Sequence, residues 1–251
     1  MSEFDVVKGL ANIYSRINAV CRKNGLDFTP RLVAVSKTKP KELIISAYEQ
    51  GQRNFGENYI QELSEKSNDT EILEKCKEIK WHFIGNIQRN KVIKLVSSPG
   101  LYLVETVDNE KLATALDTAW QKLQKEEPLR VMVQVNTSDE EEKGGCEPEK
   151  SCDLVEFIIK SCPSLKFVGL MTIGIFGYDI SNGPNPDFLT LRRCRDNVCS
   201  KLNFNTKDIE ISMGMSDDFE HAIELGSTSV RVGTAIFGHR EQKKKNSESD
   251  N

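Results

Sequence analysis

Short apolar runs alternate along the chain with stretches that repeat apolar residues every three or four positions. Runs of the first kind are typical of buried strands, and stretches of the second kind are typical of amphipathic helices. The pattern predicts eight strands, which are Arg31–Ser36, Gln52–Phe55, Lys80–Ile84, Leu101–Val104, Leu129–Val135, Lys166–Thr172, Asp208–Ile211 and Ser229–Val232.

Helical patterns precede and separate these strands. Asp108 is expected to cap a helix after the fourth strand, and Ser216 is expected to cap the stretch that Gly226 ends. The segment Ile180–Asp187 is rich in turn formers and predicts an irregular surface loop. An opening helix is predicted from the spacing of Phe4, Val7, Leu10, Ile13, Ile17 and Val20.

Strict alternation of strand and helix implies parallel strands joined by right-handed crossovers. Eight such units predict an α/β fold, a single (β/α)8 barrel of the TIM type with an extra N-terminal helix, although a doubly wound open sheet would give the same alternation. The length of 251 residues is usual for one such barrel. Residues 1–240 are expected to form it, and the polar tail 241–251 is expected to be disordered.

Composition narrows the class of protein. The chain is 38% hydrophobic and 29% charged, as ordinary soluble proteins are. A net charge of -4 gives no general attraction to nucleic acid or to an anionic membrane, and no apolar run approaches the length of a membrane span. The acidic start, Met1–Asp5, resembles no signal peptide, so a cytoplasmic protein is expected. Seven irregularly spaced cysteines and three histidines predict no metal site.

Candidate chemistry lies where the strands end, because barrels of this type bind ligands at the carboxyl ends of their strands. Lys37 follows the first strand, where a partly desolvated lysine can supply the neutral amine that attacks an aldehyde. A solvent-facing loop lysine remains the alternative. The loops after strands seven and eight are rich in glycine and hydroxyl groups, as phosphate sites are. Their candidate residues are Ser212, Gly214, Ser216, Gly233 and Thr234.

Arg231 stands just before the second of these loops, where its guanidinium could donate to the nitrogen of a bound pyridine ring. A structural ion pair is the alternative. Because arginine stays protonated, such a contact would leave the ring nitrogen without a proton and the ring a poorer electron sink. Asn58 and His82 are weaker candidates, since Asn58 could cap a helix and His82 could be a satisfied core histidine.

Six segments in order resemble the pyridoxal phosphate homeostasis protein family, also called the proline synthetase co-transcribed homologue. They are Val-Ser-Lys-Thr-Lys-Pro (35–40), Asn-Phe-Gly-Glu-Asn-Tyr (54–59), Trp-His-Phe-Ile-Gly-Asn (81–86), Gly-Leu-Met-Thr-Ile-Gly (169–174), Ser-Met-Gly-Met-Ser (212–216) and Arg-Val-Gly-Thr-Ala-Ile-Phe-Gly (231–238). The resemblance runs from about residue 4 to residue 240. Asp139 and Ile175 depart from the family pattern, outside the segments assigned to the cofactor.

The resemblance implies a fold-type III pyridoxal phosphate barrel, similar to the N-terminal domain of alanine racemase. Lys37 would form the internal aldimine, Asn58 would lie beside the ring and Arg231 would face the pyridine nitrogen. The phosphate would be held after strands seven and eight, by Ser212, Gly233 and Thr234.

The function that follows is to carry or buffer the cofactor, in support of vitamin B6 and amino-acid homeostasis, with no catalytic residue. The expected partners are pyridoxal 5'-phosphate and apo-enzymes that need it, and the protein is expected to be a monomer. Two alternatives stay open, a racemase-like enzyme with an unidentified substrate and an interaction protein in which the cofactor is only structural.

Overall fold

The computed structural model describes residues 5–239. Over this range eight parallel strands close into one barrel, because β1 pairs with β8 as well as with β2. This closure confirms the predicted (β/α)8 architecture and makes the open-sheet alternative wrong. The tail predicted at 241–251 lies outside the described residues. The strands are β1 (Arg31–Val35), β2 (Asn54–Glu57), β3 (Lys80–Phe83), β4 (Leu101–Val107), β5 (Leu129–Gln134), β6 (Leu165–Met171), β7 (Glu210–Ser212) and β8 (Ser229–Val232).

Helices surround the barrel and supply the outer half of its core. Their apolar faces pack on the strands, and the buried aliphatic and aromatic side chains form one large cluster between the two layers. The helices of the described range are α1 (Val6–Lys23), α2 (Lys41–Glu49), α3 (Ile60–Ser67), α4 (Thr70–Lys75), α5 (Val92–Val96), α6 (Glu110–Lys122), α7 (Ser151–Ser161), α8 (Pro186–Leu202), α9 (Phe219–Glu224) and α10 (Thr234–Phe237).

The extra N-terminal helix, α1, packs against α2, α9 and α10. Gly9 allows the closest approach, since a side chain there would lie 2.9 Å from the carbonyl oxygen of Ile236. The apolar stripe differs from the predicted one at its start. Val6 is buried and Val7 is 42% exposed, while Phe4 lies outside the described residues.

Two strands extend further toward the site than the apolar pattern predicted. Strand β2 begins at Asn54 and continues through Glu57, and β4 continues past Val104 to Val107. Their polar ends are buried because they are hydrogen-bonded, as in the 2.7 Å bond from the Thr106 hydroxyl to the Gly85 carbonyl. Apolar periodicity cannot register a strand residue whose burial depends on a distant partner.

Two of the predicted helix starts are wrong. Asn109, not Asp108, caps α6 by accepting from the Leu112 N–H at 2.9 Å. Helix α9 is preceded by Asp218, and Ser216 stays in the loop before it. The predicted loop at 180–187 is shorter than expected, because α8 already begins at Pro186.

Among the described residues, no helix combines the length and the apolar character needed to cross a membrane.

Candidate functional site

A cleft of about 330 Å³ opens at the carboxyl ends of the strands. This volume lies at the lower end of the range typical of small-molecule sites. Five of the six predicted site residues line it, and the sixth, Ser212, does not. The five are Lys37, Asn58, Arg231, Gly233 and Thr234.

Lys37 reaches the cleft because it lies two residues past the end of β1. Its side chain is half-buried, and the residue before it, Ser36, is fully buried. The residue after it, Thr38, has a φ of 63° in the left-handed region. That conformation is unusual for a β-branched residue, so the backbone turns sharply just beyond Lys37.

The loops after β7 and β8 lie against each other at one end of the cleft. The Gly233 N–H donates to the Ser216 hydroxyl at 3.3 Å, and the Arg231 N–H donates to the Gly214 carbonyl at 3.0 Å. Gly214 has a φ of 94°, and a side chain there would lie 2.5 Å from the Ala222 Cβ, so only glycine fits. The contact with Gly233 also explains why Ser216 is not a helix cap. Helix α10 begins at Thr234, and the first turn of a helix leaves N–H groups without intrahelical partners.

Arg231 is buried, and its guanidinium is fixed from two sides. It donates to the Ser212 hydroxyl and to the Thr172 carbonyl, each at 2.7 Å. Burial lowers the pKa of Arg231 from its ordinary value, while the Glu105 and Asp218 carboxylates oppose that shift. The alternative of a direct structural ion pair does not describe this geometry, because the guanidinium reaches Glu105 through Ser212.

A chain of buried polar groups runs from Arg231 into the barrel. The Ser212 hydroxyl donates to Glu105 at 2.6 Å, and the other oxygen of Glu105 lies 2.8 Å from His82 Nδ1. The second ring nitrogen of His82 lies 3.0 Å from the Asn54 amide oxygen. Burial alone raises the pKa of Glu105, but His82, Arg231 and Ser212 together hold it below its ordinary value. His82 is therefore a core histidine whose two ring nitrogens both have hydrogen-bond partners, which was one of the two interpretations of the sequence.

Asn58 contributes to the cleft an amide that does not cap a helix. Helix α3 is preceded by Tyr59 and shows no side-chain cap, so the interpretation of Asn58 as a helix cap is wrong. Within the described range, its Oδ1 is buried with no hydrogen-bond partner. Gly85 lies tightly against it, because a side chain at Gly85 would come 1.9 Å from the Asn58 carbonyl oxygen. An orphaned buried acceptor is costly, which indicates a site prepared for a donor.

Apolar side chains, to which the sequence assigned no role in the site, form the rest of the wall. Phe176 stands at the mouth and is 76% exposed, next to Ile175, which is 42% exposed. All of these wall residues but Phe176 lie within the family segments, and this position at the strand ends was the available signal. The apolar residues that line the cleft are Val35, Ile84, Met171, Ile173, Phe176 and Met215.

The barrel belongs to the class of the alanine racemase N-terminal domain, since the family model for that domain matches residues 10–241. A pyridoxal phosphate homeostasis protein from Mus musculus is 57% identical over 216 residues, which are 86% of this chain and 79% of that protein. A protein of the same name from Caenorhabditis elegans is 49% identical over 241 residues, 96% of this chain and 98% of that one. The chain therefore belongs to the pyridoxal phosphate homeostasis protein family, as its motifs predicted.

A solved structure agrees with this assignment. PipY from Synechococcus elongatus PCC7942, determined with pyridoxal phosphate bound, is 27% identical to this chain with a TM-score of 0.77. The similarity covers 93% of this chain and 100% of PipY.

Proposed function

We propose that this protein binds pyridoxal 5'-phosphate in the cleft and carries or buffers it, in support of vitamin B6 and amino-acid homeostasis. The observation that carries the proposal is the meeting of Lys37, Arg231 and the Gly233–Thr234 loop in one cleft of about 330 Å³. The names of the relatives and the ligand of PipY point to the same cofactor.

The residues present fit this group. The cofactor supplies an aldehyde, whose carbon is open to attack by an amine, and Lys37 is the amine after β1. Ser216 and Thr234 offer hydroxyl donors to a phosphate, and the Gly233 N–H holds the Ser216 hydroxyl beside that position. The buried Oδ1 of Asn58 offers an acceptor to a polar ring substituent. Apolar walls are suited to the faces of an aromatic ring.

Ser212 takes a different role in this proposal from the phosphate contact that the motifs implied. Its hydroxyl already bridges Arg231 and Glu105 and does not line the cleft. We assign it to holding Arg231 in place, and we assign the phosphate to Ser216, Gly233 and Thr234.

In this proposal Arg231 disfavours reactions that need a fully developed carbanion. A guanidinium that donates to the pyridine nitrogen leaves that nitrogen without a proton, which weakens the ring as an electron sink. Lys37 then serves to hold the cofactor and release it to apo-enzymes, the proposed acceptors.

We further propose that the protein is cytoplasmic and a monomer. The cytoplasmic location agrees with the seven free cysteine thiols, as expected in a reducing compartment.

The test is to compare the unaltered chain with Lys37→Ala. On addition of the cofactor, the unaltered chain is expected to gain near-visible absorbance and, after borohydride reduction, a cofactor-sized mass increase on Lys37. Lys37→Ala is expected to lose both. The matched control is Lys75→Ala, which alters an exposed lysine paired with Glu71 and is expected to behave as the unaltered chain. Unchanged labelling of Lys37→Ala would overturn the proposal.

A second measurement separates carrying from catalysis. Loaded protein is mixed with an apo-enzyme and a scavenger of free aldehyde, and activation of the apo-enzyme in spite of the scavenger supports direct transfer. Amino acids incubated with loaded protein in D2O report on the enzyme alternative. Sustained deuterium exchange at Cα that vanishes in Lys37→Ala would favour a racemase-like activity instead.

A further inference from the structure

Lys66, near the end of α3, is a buried lysine with a complete set of partners. Its side chain is 10% exposed, and its ammonium donates to three oxygens at 2.7 Å each. The acceptors are the Ser36 carbonyl, Glu57 Oε1 and Glu62 Oε1. An ammonium has three N–H donors, so all of them are used. Lysine is almost never buried unless it is paired, which makes this cluster a built feature rather than a surface accident.

The cluster holds the backbone on both sides of Lys37. Lys66 binds the carbonyl of Ser36, the residue before Lys37. Glu62 Oε1, which accepts from Lys66, also accepts from the Thr38 N–H at 2.6 Å, on the residue after it. One ammonium and one carboxylate oxygen therefore span the segment that presents Lys37 to the cleft.

Two more observations indicate that the backbone from Ser36 to Thr38 is fixed by its surroundings. Thr38 lies in the left-handed region, with a φ of 63°, although its side chain is exposed and cannot lock the turn by packing. Such a conformation persists only where the surroundings enforce it. From the other side, the Ser36 hydroxyl donates to Glu57 Oε1 at 2.6 Å, so Glu57 joins Ser36 to Lys66 as well.

We propose that Lys66, through Glu57 and Glu62, positions Lys37 for its reaction with an aldehyde ligand. The inference rests on the proposed function. In that reaction the neutral Lys37 amine adds to the aldehyde carbon, a C=N bond replaces the C=O bond, and the oxygen leaves with both amine protons as water. Lys66 touches neither reactant and acts by fixing the backbone from which the amine extends. Loss of alignment by about 1 Å can slow such a step by about a hundredfold.

The test uses Lys66→Met, whose unbranched side chain is one heavy atom shorter than that of lysine and carries no ammonium. Affinity is measured with pyridoxine 5'-phosphate, which has the ring and phosphate but an alcohol in place of the aldehyde. The rate of bond formation is measured with pyridoxal 5'-phosphate by stopped-flow absorbance and borohydride trapping. The expected result is an affinity within about twofold of the unaltered chain and a rate lower by about 10- to 100-fold.

This split distinguishes positioning from a merely structural role, which would weaken affinity and rate together. The melting temperature is expected to fall in either case, because Glu57 and Glu62 lose a buried partner. A folded Lys66→Met that reacts at the unaltered rate would overturn the inference. If the unaltered chain itself neither binds pyridoxine 5'-phosphate nor traps the aldehyde, the proposed function fails first. Lys75→Met is the matched control, since it breaks the exposed Lys75–Glu71 pair on α4 and is expected to change neither quantity.

Glu62→Gln keeps the inference testable if Lys66→Met fails to fold. Glu62 is more exposed than Glu57, and its replacement leaves the bonds from Lys66 to Ser36 and Glu57 in place. The ion pair from Lys66 to Glu62 and the bond from the Thr38 N–H to Glu62 are weakened, so a smaller slowing of about 3- to 10-fold at unchanged affinity is expected. An unchanged rate in folded Glu62→Gln would contradict a positioning role for Glu62.

Discussion

At the scale of single residues, the position of Arg231 depends on one buried hydroxyl. Ser212 accepts from the guanidinium at 2.7 Å and donates to Glu105 at 2.6 Å, and a hydroxyl can do both at once. Without it, a guanidinium N–H and a carboxylate oxygen on two buried side chains would lose this partner. A buried polar group left unpaired costs more than the bond that was lost.

Ser212→Ala is therefore expected to lower the free energy of unfolding by about 2 kcal/mol and to weaken binding of pyridoxine 5'-phosphate. Urea unfolding and a ligand titration measure the two effects. Ser97→Ala is the control, because its exposed hydroxyl only bonds the Ile93 carbonyl, and it should stay within about 0.5 kcal/mol of the unaltered chain. Equal stabilities for Ser212→Ala and Ser97→Ala would contradict the bridging role.

At the scale of elements, the alternation of strand and helix predicted the barrel but left an open sheet as an alternative. The ends of β1 and β8 made Lys37 and Arg231 candidates, and only the family motifs assigned them to the cofactor. The pattern failed where burial depends on partners far along the chain. Glu57 extends β2 because Lys66 and Ser36 pair with it, and Glu105 lies inside β4 because His82 and Ser212 pair with it. The pattern of apolar positions along the chain carries no information about which distant polar side chains pair with each other.

Local rules misjudged Ser216 and Asn58, and gave no signal at Lys66, for a related reason. Ser216 and Asn58 both stand where a helix cap is plausible, yet the structure uses one to meet Gly233 and leaves the other with an unpaired oxygen in the cleft. Lys66 has the sequence context of an ordinary helix-surface lysine. Only the folded arrangement of α3 against β1 and β2 reveals it as buried, because its partners come from three separate segments.

The contact between α3 and β2 also predicts a pH dependence. Burial raises the pKa of Glu57 from 4.5 to about 7, although Lys66 and Ser36 oppose the shift. Between those values the folded chain holds a proton that the unfolded chain has released, so this group's contribution to stability falls as the pH rises.

Glu57→Gln has no titrating group at this position, whereas every other titratable group is present in both the variant and the unaltered chain. The free energy of unfolding of the unaltered chain, relative to Glu57→Gln, is expected to fall by at most about 3 kcal/mol from pH 4.5 to pH 7. Urea unfolding at several pH values measures this difference. Glu78→Gln, at an exposed glutamate near Arg53, should show no comparable trend. Parallel pH curves for the unaltered chain and Glu57→Gln would contradict the raised pKa.

At the scale of the whole molecule, the candidate site lies across the seam where the barrel closes. Strand β1 pairs with β8 through Val33 and Arg231, so Lys37 and the Gly233 loop leave the barrel from neighbouring strands. A side chain at Gly233 would come 3.2 Å from the Val35 carbonyl oxygen, which shows how closely the two strand ends approach. On the outside, α1 covers the same side of the barrel by packing on α2, α9 and α10.

A ligand that joins Lys37 to the Gly233–Thr234 loop would therefore cross-link the seam. At a free concentration about 100 times its dissociation constant, it should stabilise the whole fold by about 2.7 kcal/mol and slow exchange of every amide that needs global unfolding. Amides that exchange by local opening should respond only near the ligand.

Hydrogen-exchange mass spectrometry with pyridoxal 5'-phosphate is expected to show this additional local protection in β1, β8 and α10 and not in β4 and β5 across the barrel. In Lys37→Ala the additional protection of β1 should disappear while that of α10 remains, because the phosphate contacts are intact. Additional protection spread evenly around the barrel would mean that the ligand does not bind across the seam.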